Sequence, residues 1–351
     1  MSSLIDLLRG HPSTHLLATD AIRESALNVL GKNGHLPTDS YGDIHHPLHY
    51  GPDMGNLDLR AEIGNWTAQR YKLSQAIGPE RITMTSGASY GLMTALQLCT
   101  SPGTGYTKQA FMISPTYFLA ASIFEGTTNI CYCLTRPLIV ITDAGFAGKL
   151  TSIKLCGDTI DFAGLESKLE HISTTTPDVS LPDGLAPISR SVGGPKRIYK
   201  FVMYCVPTYC NPTGETWSLD TRRRVLEIAR RWDMLVISDD VYDFLGNDGD
   251  QSALANGIPL PRLVSLDRSM LVKDGKEGGG QEAGYTVSNC SFSKLLGPGL
   301  RCGWMESATS RLVRQMSGGC SRSVFTPSNL FPLVRVVTSG RAGLHPILHQ
   351  P

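Results

Sequence analysis

The sequence of 351 residues lacks an excess of charge of either sign. Its 32 Lys and Arg residues nearly balance its 31 Asp and Glu residues. Proteins that bind nucleic acid or an anionic membrane surface carry a clear excess of basic residues. The composition therefore argues against both of these partners.

Long apolar runs and patterned cysteines are also missing. No run of about 18 apolar residues occurs, so the sequence predicts no transmembrane helix. The N-terminal stretch contains Asp6 and Arg9 and has no basic start, which argues against a signal peptide. The nine cysteines have no repeated spacing, and Cys131 with Cys133 matches neither a zinc site nor a disulfide framework. We therefore expect a reducing, cytoplasmic location and no metal ion.

The sequence does have enough apolar residues (41%) for a large buried core, and its length suggests one large and one smaller domain. From about residue 80, short apolar runs alternate with amphipathic stretches. This alternation predicts a mostly parallel sheet with helices on both faces. The predicted strands are 81–86, 110–114, 129–134, 198–206, 234–238 and 286–292, the predicted helices are 88–99, 117–125, 161–172 and 218–232, and 173–196 is a predicted loop.

Chemically useful residues follow five of the predicted strands. In an open parallel sheet, ligands bind beyond the carboxyl ends of the strands. Taken alone, each motif has an ordinary explanation, because Asn211 can open a turn, Lys294 can be a solvated lysine, and Asp239 with Asp240 can be a strand-end pair. Their occurrence together at strand ends indicates a single ligand site.

The set of motifs resembles the class I and II aminotransferases, enzymes of fold type I that use pyridoxal 5'-phosphate (PLP). The resemblance covers roughly residues 5–320, and the sequence is similar to the fungal branch related to 2-aminoadipate and aromatic aminotransferases. It implies amino acid and 2-oxo acid substrates. The motifs that carry it are Tyr50-Gly51 with 55–60, Thr85-Ser86-Gly87-Ala88-Ser89, Ser114-Pro115-Thr116-Tyr117, Asn211-Pro212-Thr213-Gly214, Ser238-Asp239-Asp240-Val241-Tyr242, and Ser291-Phe292-Ser293-Lys294 with 298–304.

The resemblance implies three catalytic residues. Lysine supplies the primary amine that a Schiff base with PLP requires, and Lys294 matches the lysine that forms it and then moves a proton. Asp239 matches the carboxylate that keeps the pyridine nitrogen protonated, and it is preferred over Asp240 because the family spacing is Asp-x-x-Tyr. Tyr242, together with Asn211, matches the pair that hydrogen-bonds the oxygen on the cofactor ring.

The remaining cofactor-binding residues are also implied by the resemblance. Tyr117 matches the aromatic residue that stacks on the pyridine ring. Tyr50 matches the tyrosine that reaches the phosphate of a neighbouring subunit, which implies a homodimer with shared active sites. Backbone amides at a helix start, a hydroxyl and a guanidinium would hold the phosphate. These phosphate ligands are Gly87, Ala88, Ser89, Ser291 and Arg301.

The sequence departs from the family after Trp304. The family continues with a small domain that carries an arginine for the substrate carboxylate, whereas here the resemblance fades beyond about residue 323. We expect an N-terminal arm with part of a small domain at 1–45, a PLP-binding large domain at 46–305, and a truncated or diverged remnant at 306–351. Either a truncated or misspliced gene product or a form that lost its small domain would explain this tail.

Three functions remain open from the sequence. The first is amino-group transfer from an L-amino acid to a 2-oxo acid. The second is PLP-dependent lyase chemistry, such as carbon–sulfur cleavage or cyclopropane formation from a sulfonium amino acid, because the cofactor motifs are the same for both. The third is a catalytically inactive PLP-fold protein that lacks its small domain.

Overall fold

The computed structural model describes residues 14–30, 51–125, 128–133, 136–141, 145–180, 196–245, 254–255, 258–273 and 284–317. Within these residues the α-helices are α1 (Thr19–Leu30), α2 (Leu57–Arg70), α3 (Ala88–Cys99), α4 (Phe118–Glu125), α5 (Phe162–Thr175), α6 (Leu219–Trp232), α7 (Leu263–Lys273) and α8 (Ser310–Ser317). The strands are β1 (Ile82–Thr85), β2 (Gln109–Ser114), β3 (Thr128–Cys133), β4 (Arg136–Ile141), β5 (Leu150–Cys156), β6 (Thr159–Ile160), β7 (Phe201–Cys205), β8 (Met234–Asp239), β9 (Leu254–Ala255), β10 (Ile258–Pro259), β11 (Thr286–Ser291) and β12 (Gly303–Ser307).

Among the described residues, eight strands form one sheet in the order β1-β12-β11-β8-β7-β2-β5-β6. Its centre, from β11 to β5, is parallel, whereas β12 runs antiparallel to both β1 and β11, and β6 pairs antiparallel with β5. Every residue of β7, β8, β11 and β12 is buried. Because successive side chains of a strand point to opposite faces, this burial means that both faces of the sheet are covered. The predicted α/β class is confirmed.

Two groups of helices provide this cover. Helix α3 packs against α4 and α8, whereas α6 packs against α7. Helix α6 shows how the sequence specifies such an element: Ser218 caps its first turn by accepting from the amide of Thr221, and Val225 and Ile228 are fully buried on its apolar side. Asp233 ends the helix in the left-handed conformation with φ of 54°.

Most of the predicted elements are confirmed, with small shifts at their ends. They are the strands at 81–86, 110–114, 198–206, 234–238 and 286–292 and the helices at 88–99, 117–125, 161–172 and 218–232. The predicted strand at 129–134 is also present as β3, which pairs with β4 in a two-stranded hairpin outside the main sheet. The start of the predicted loop at 173–196 was wrong, because the helical hydrogen bonding of α5 continues to Thr175, with the amide of Thr176 donating to the carbonyl of Ile172. Residues 181–195 of that loop lie outside the described residues.

Several predictions lie outside the described residues, among them the position of Tyr50 and most of the two terminal segments. Within the part that the structure describes, no helix combines the length and apolar character needed to cross a membrane. In the same part, no group of His, Cys, Asp or Glu side chains is arranged to hold a metal ion.

Candidate active site

Asp239 is the last residue of β8 and lies at the carboxyl edge of the parallel strands. Its side chain is buried, with 8% of the residue exposed. The Tyr204 hydroxyl donates to its Oδ2 at 2.6 Å, and the Asn289 amide donates to its Oδ1 at 3.4 Å. Burial raises the pKa of Asp239 from 3.8 to about 6, against the lowering effects of the Tyr204 hydrogen bond and of the Lys294 charge.

Asp240 faces a different set of partners. Its Oδ2 accepts from the hydroxyl of Ser238 at 2.8 Å and also from the hydroxyl of Ser288. Burial, reinforced by the nearby Asp243, raises its pKa to about 7. The two carboxylates are therefore held by separate groups, as expected for neighbouring residues of an extended strand. The assignment of Asp239 to the cofactor stays a prediction.

Lys294 ends a short 3-10 turn, Phe292–Lys294, that follows β11 directly. Phe292 anchors this turn in the core, where its ring lies 4.7 Å from that of Trp304. The Lys294 side chain is exposed, and its Nζ lies 5.9 Å from the centre of the Tyr242 ring. This turn thus presents a primary amine at the same sheet edge as Asp239.

Tyr242 and Asn211 are brought together from two different loops. The Asn211 amide donates to the Tyr242 hydroxyl at 3.4 Å. Burial raises the pKa of Tyr242, the Asn211 hydrogen bond lowers it, and Asp239 raises it further. The structure thus brings these two residues into contact, and the Tyr242 ring centre lies 5.9 Å from Lys294 Nζ. Their role toward the ring oxygen of the cofactor stays a prediction.

Tyr117 precedes α4 and is half-buried. Burial raises the pKa of its phenol, Asp239 raises it further, and Arg301 lowers it. The phenol is therefore within electrostatic reach of both the buried carboxylate and the guanidinium. This position is compatible with the predicted stacking role, which stays a prediction.

Gly87, Ala88 and Ser89, three of the predicted phosphate ligands, lie at the start of α3, and Arg301, a fourth, lies beside Gly87. Gly87 adopts φ of 97°, a conformation that disfavours other residues, and a Cβ there would lie 2.6 Å from Arg301 Nη2. The same guanidinium donates to the carbonyl of Ser86 at 3.1 Å. Helix α3 begins at Ala88, so the first amides of α3, including that of the exposed Ser89, lie beside a fixed positive charge.

The Ser291 hydroxyl makes local hydrogen bonds in this structure. Its hydroxyl caps the 3-10 turn by accepting from the amide of Ser293, and it lies 2.8 Å from the Ser293 hydroxyl. Only 2% of Ser291 is exposed. Its role as a phosphate donor stays a prediction, whereas its role in shaping the Lys294 turn is direct.

A buried ion pair supports the turn that carries Tyr242. The carboxylate of Asp243 accepts from Arg262 Nε and from the Tyr71 hydroxyl, both at 2.7 Å. Arg262 also donates to Glu306 on β12 at 3.2 Å. Because these charges are removed from water, loss of one partner would leave the other buried and uncompensated. These contacts therefore connect Tyr71 at the end of α2, the 241–245 turn and β12.

Three residues near the site are absent from the sequence-based set. Tyr204 and Asn289 contact Asp239, and Arg222 is fully buried with hydrogen bonds to the carbonyl of Pro207 and the hydroxyl of Thr208, which precede Asn211. A polar group inside a strand of buried residues is the signal that could have identified Tyr204 and Asn289. No spacing rule connects them to Asp239.

The comparisons with known proteins agree on one family. The family model described as aminotransferase class I and II matches residues 156–344. The uncharacterized protein YER152C of Saccharomyces cerevisiae is 39% identical over 354 residues, covering 96% of this chain and 72% of that protein. The aromatic-amino-acid aminotransferase 1 of Thermococcus litoralis is 23% identical over 315 residues, covering 90% of this chain and 57% of that protein.

Among solved structures, a kynurenine aminotransferase of Pyrococcus horikoshii in complex with PMP has the same fold, with a TM-score of 0.62 and 23% identity. The match covers 97% of this chain and 64% of that one. The chain therefore spans less than two thirds of the length of this protein and of the Thermococcus litoralis enzyme. The family match also continues to residue 344, past the point where the short motifs end.

Proposed function

This chain belongs to the class I and II aminotransferase family, and we propose that it transfers an amino group from an L-amino acid to a 2-oxo acid with PLP as cofactor. The observation that carries the proposal is the buried carboxylate of Asp239 within electrostatic reach of the Lys294 amine. A buried carboxylate is costly unless a cation meets it, and a protonated pyridine ring is such a cation.

The donor set fits the chemistry of PLP. When bound, PLP supplies an aldehyde carbon that condenses with amines and a pyridine ring that withdraws electrons from them. The chain offers an exposed primary amine at Lys294, a buried carboxylate at Asp239, and a guanidinium at Arg301 beside the turn at Gly87. A side chain at position 87 would occupy the space next to that guanidinium, so this glycine keeps a cradle open for an anion.

Each residue then has a distinct task. Asp239 would hold the proton on the ring nitrogen, because a paired carboxylate favours the charged form of the base. Lys294 Nζ would first attach the cofactor and afterwards carry a proton from the substrate α-carbon. Tyr242 and Asn211 would stabilise negative charge on the ring oxygen through the hydroxyl and amide that already meet at 3.4 Å. Tyr117 would cover one face of the ring.

Phosphate binding would use the start of α3. The amides of Ala88 and Ser89 are among the first four of the helix and have no partner within it. Arg301 would add a bidentate, charge-assisted contact that a lysine could not supply, and the Ser291 hydroxyl would add one more donor. These roles predict that inorganic phosphate competes with PLP for the apoprotein.

The oligomeric state and location belong to the proposal as well. The resemblance around Tyr50 supports a homodimer in which this residue completes the neighbouring phosphate site. Sedimentation of the purified chain, together with the activity of mixed dimers carrying Tyr50→Phe and Lys294→Ala on separate chains, tests that arrangement. We expect restored activity in the mixed dimer, because one of its two sites is then intact. We also propose a cytoplasmic location, which microscopy of the tagged protein tests.

Lysine substitution tests the cofactor. We expect apoprotein titrated with PLP to develop the visible absorbance of lysine-bound cofactor, and Lys294→Ala to lose it. Lys168→Ala is the matched control, because its Nζ contacts only the carbonyl of Ser152 at the exposed surface among the described residues. Identical spectra for wild type and Lys294→Ala would disprove the assignment.

A half-reaction tests the transfer itself. Amino acids added to the PLP-loaded protein should convert the cofactor to its pyridoxamine form, and a 2-oxo acid should convert it back. Release of ammonia with a 2-oxo acid, while the cofactor spectrum returns unchanged, would instead indicate lyase chemistry. No spectral change with any amino acid would indicate a protein that binds PLP without turnover.

A further inference from the structure

We propose that Tyr204 is a positioning residue that keeps the Asp239 carboxylate ionised and oriented for the pyridine nitrogen of PLP. The part of this inference that concerns PLP rests on the proposed function. The part that concerns Asp239 is a property of the apoprotein and can be measured without cofactor.

The contact between the two side chains follows from the sheet. Strands β7 and β8 are parallel neighbours, with Tyr204 opposite Ile237. Asp239 lies two residues further along β8, so the length of the phenol ring carries the Tyr204 hydroxyl to it. The hydroxyl donates to Oδ2 at 2.6 Å, a short distance that is typical of a bond to a charged acceptor.

The second bond to Asp239 is much weaker. Asn289 donates to Oδ1 at 3.4 Å, and the same amide nitrogen donates to the carbonyl of Ala88 at 2.9 Å. The shorter bond to Ala88 therefore dominates the orientation of Asn289. Oδ1 consequently remains available for an additional donor, whereas Oδ2 is committed to Tyr204. This division leaves one oxygen of the carboxylate for the ring nitrogen.

The groups that face Asp239 come from several elements. They are Tyr204 and Cys205 on β7, Tyr242 and Asp243 after β8, Tyr117 before α4, and Lys294 after β11. Burial opposes ionisation of Asp239 and Asp243 adds to this effect, whereas Tyr204 and Lys294 favour the charged form. The Lys294 charge changes when its amine joins the cofactor, so the Tyr204 bond is the contribution that persists.

The Tyr204 hydroxyl is suited to donate its hydrogen bond to Asp239 without losing its own proton. Burial, followed by the charge of Asp239, raises its own pKa well above the usual value, so the phenol keeps its proton. Its ring is fully buried and meets the ring of Phe124 edge-on, with 6.3 Å between centroids. Tyr204→Phe retains this packing and removes the hydroxyl alone.

The decisive measurement is the titration of Asp239 in the full-length apoprotein by carboxyl ¹³C NMR, with the resonance assigned through Asp239→Asn. We expect Tyr204→Phe to raise the titration midpoint by about one to two pH units, because a hydrogen bond to the charged form is lost. Tyr199→Phe is the matched control: this tyrosine is equally buried but donates to the carbonyl of Gly284 at 2.5 Å. An unchanged midpoint in Tyr204→Phe would overturn the inference.

Wild-type protein provides a second arm if Tyr204→Phe does not fold. The Tyr204 Cζ resonance should shift as Asp239 titrates, and that of Tyr199 should not. A Tyr204 resonance that ignores this titration would again overturn the inference.

PLP affinity separates this inference from the proposed function. We expect Tyr204→Phe to weaken PLP binding more at pH 6.5 than at pH 8.5, because the variant carboxylate is protonated at the lower pH. Equal weakening at both pH values would disprove the role toward PLP. If wild type binds no PLP while the apoprotein midpoint still moves, the proposed function fails and the Tyr204–Asp239 coupling stands.

Discussion

Asp239→Asn should make the apoprotein more stable at alkaline pH while removing its capacity for productive PLP binding. Burial raises the pKa of Asp239 from 3.8 to about 6 in the folded protein. Each unit of difference between folded and unfolded states corresponds to about 1.4 kcal/mol. A difference of roughly two units means that ionised Asp239 costs the apoprotein about 3 kcal/mol.

The direction of the pH dependence follows from proton binding. Between pH 4 and pH 6 the folded protein holds the Asp239 proton, whereas the unfolded chain has released it. The folded state therefore loses stability as the pH rises through this interval, and the loss is complete above pH 6. Asparagine cannot ionise, and its carbonyl oxygen can still accept from Tyr204. The variant should match wild type near pH 4 and exceed it by about 3 kcal/mol at pH 8.

Urea unfolding of both apoproteins at several pH values between 4 and 8 measures this difference. Contributions from other titrating groups, including Asp240, are present in both proteins and are removed largely by the comparison. A difference in unfolding free energy between variant and wild type that does not change with pH would refute the argument that burial makes ionised Asp239 energetically costly. Saturating PLP should reverse the order at pH 8, because only wild type places a carboxylate on the ring nitrogen.

Two further substitutions test the supports of the site. Gly87→Ala should lower the free energy of unfolding in urea by about 1–3 kcal/mol and weaken PLP binding, because a φ of 97° is strained for alanine and its Cβ would contact Arg301. Gly103→Ala is the control: its Cβ would have open space, so neither the unfolding free energy nor PLP binding should change. Arg222→Met should destabilise the chain by at least about 3 kcal/mol, because it removes four hydrogen bonds and leaves their buried acceptor oxygens without a donor. The neighbouring Arg223→Met, at an exposed position, should stay within about 0.5 kcal/mol of wild type. Equal losses for Arg222→Met and Arg223→Met would show that the Arg222 hydrogen bonds do not hold the Asn211 loop.

Strands β2, β7 and β8 of the parallel centre were predictable because they are apolar runs with clear ends. Strand β12 was not predicted, since Gly303–Ser307 contains no β-branched residue and carries Glu306 in its interior. Its extended state is imposed by β1 and β11, which flank it, and Glu306 is tolerated there because Arg262 and Arg268 bind its carboxylate. Such a strand depends on partners that are distant in the chain. Strand β5 was not predicted either, although the alternation of its buried and exposed residues is a local pattern typical of a strand.

The sequence alone determined which chemical groups gather at the sheet edge. Lys294, Asn211 and Tyr242 follow recognisable strand ends, and local rules of alternation and turn formation specify those ends. Only the tertiary structure decided how the Asp239 carboxylate is held and how far its pKa rises. Tyr204 lies 35 residues before it and Asn289 lies 50 residues after it, so their contacts arise from strand order. Burial is likewise a property of the packed layers. It raises the pKa of Asp239, so that the ionised carboxylate is favoured only when a cation pairs with it.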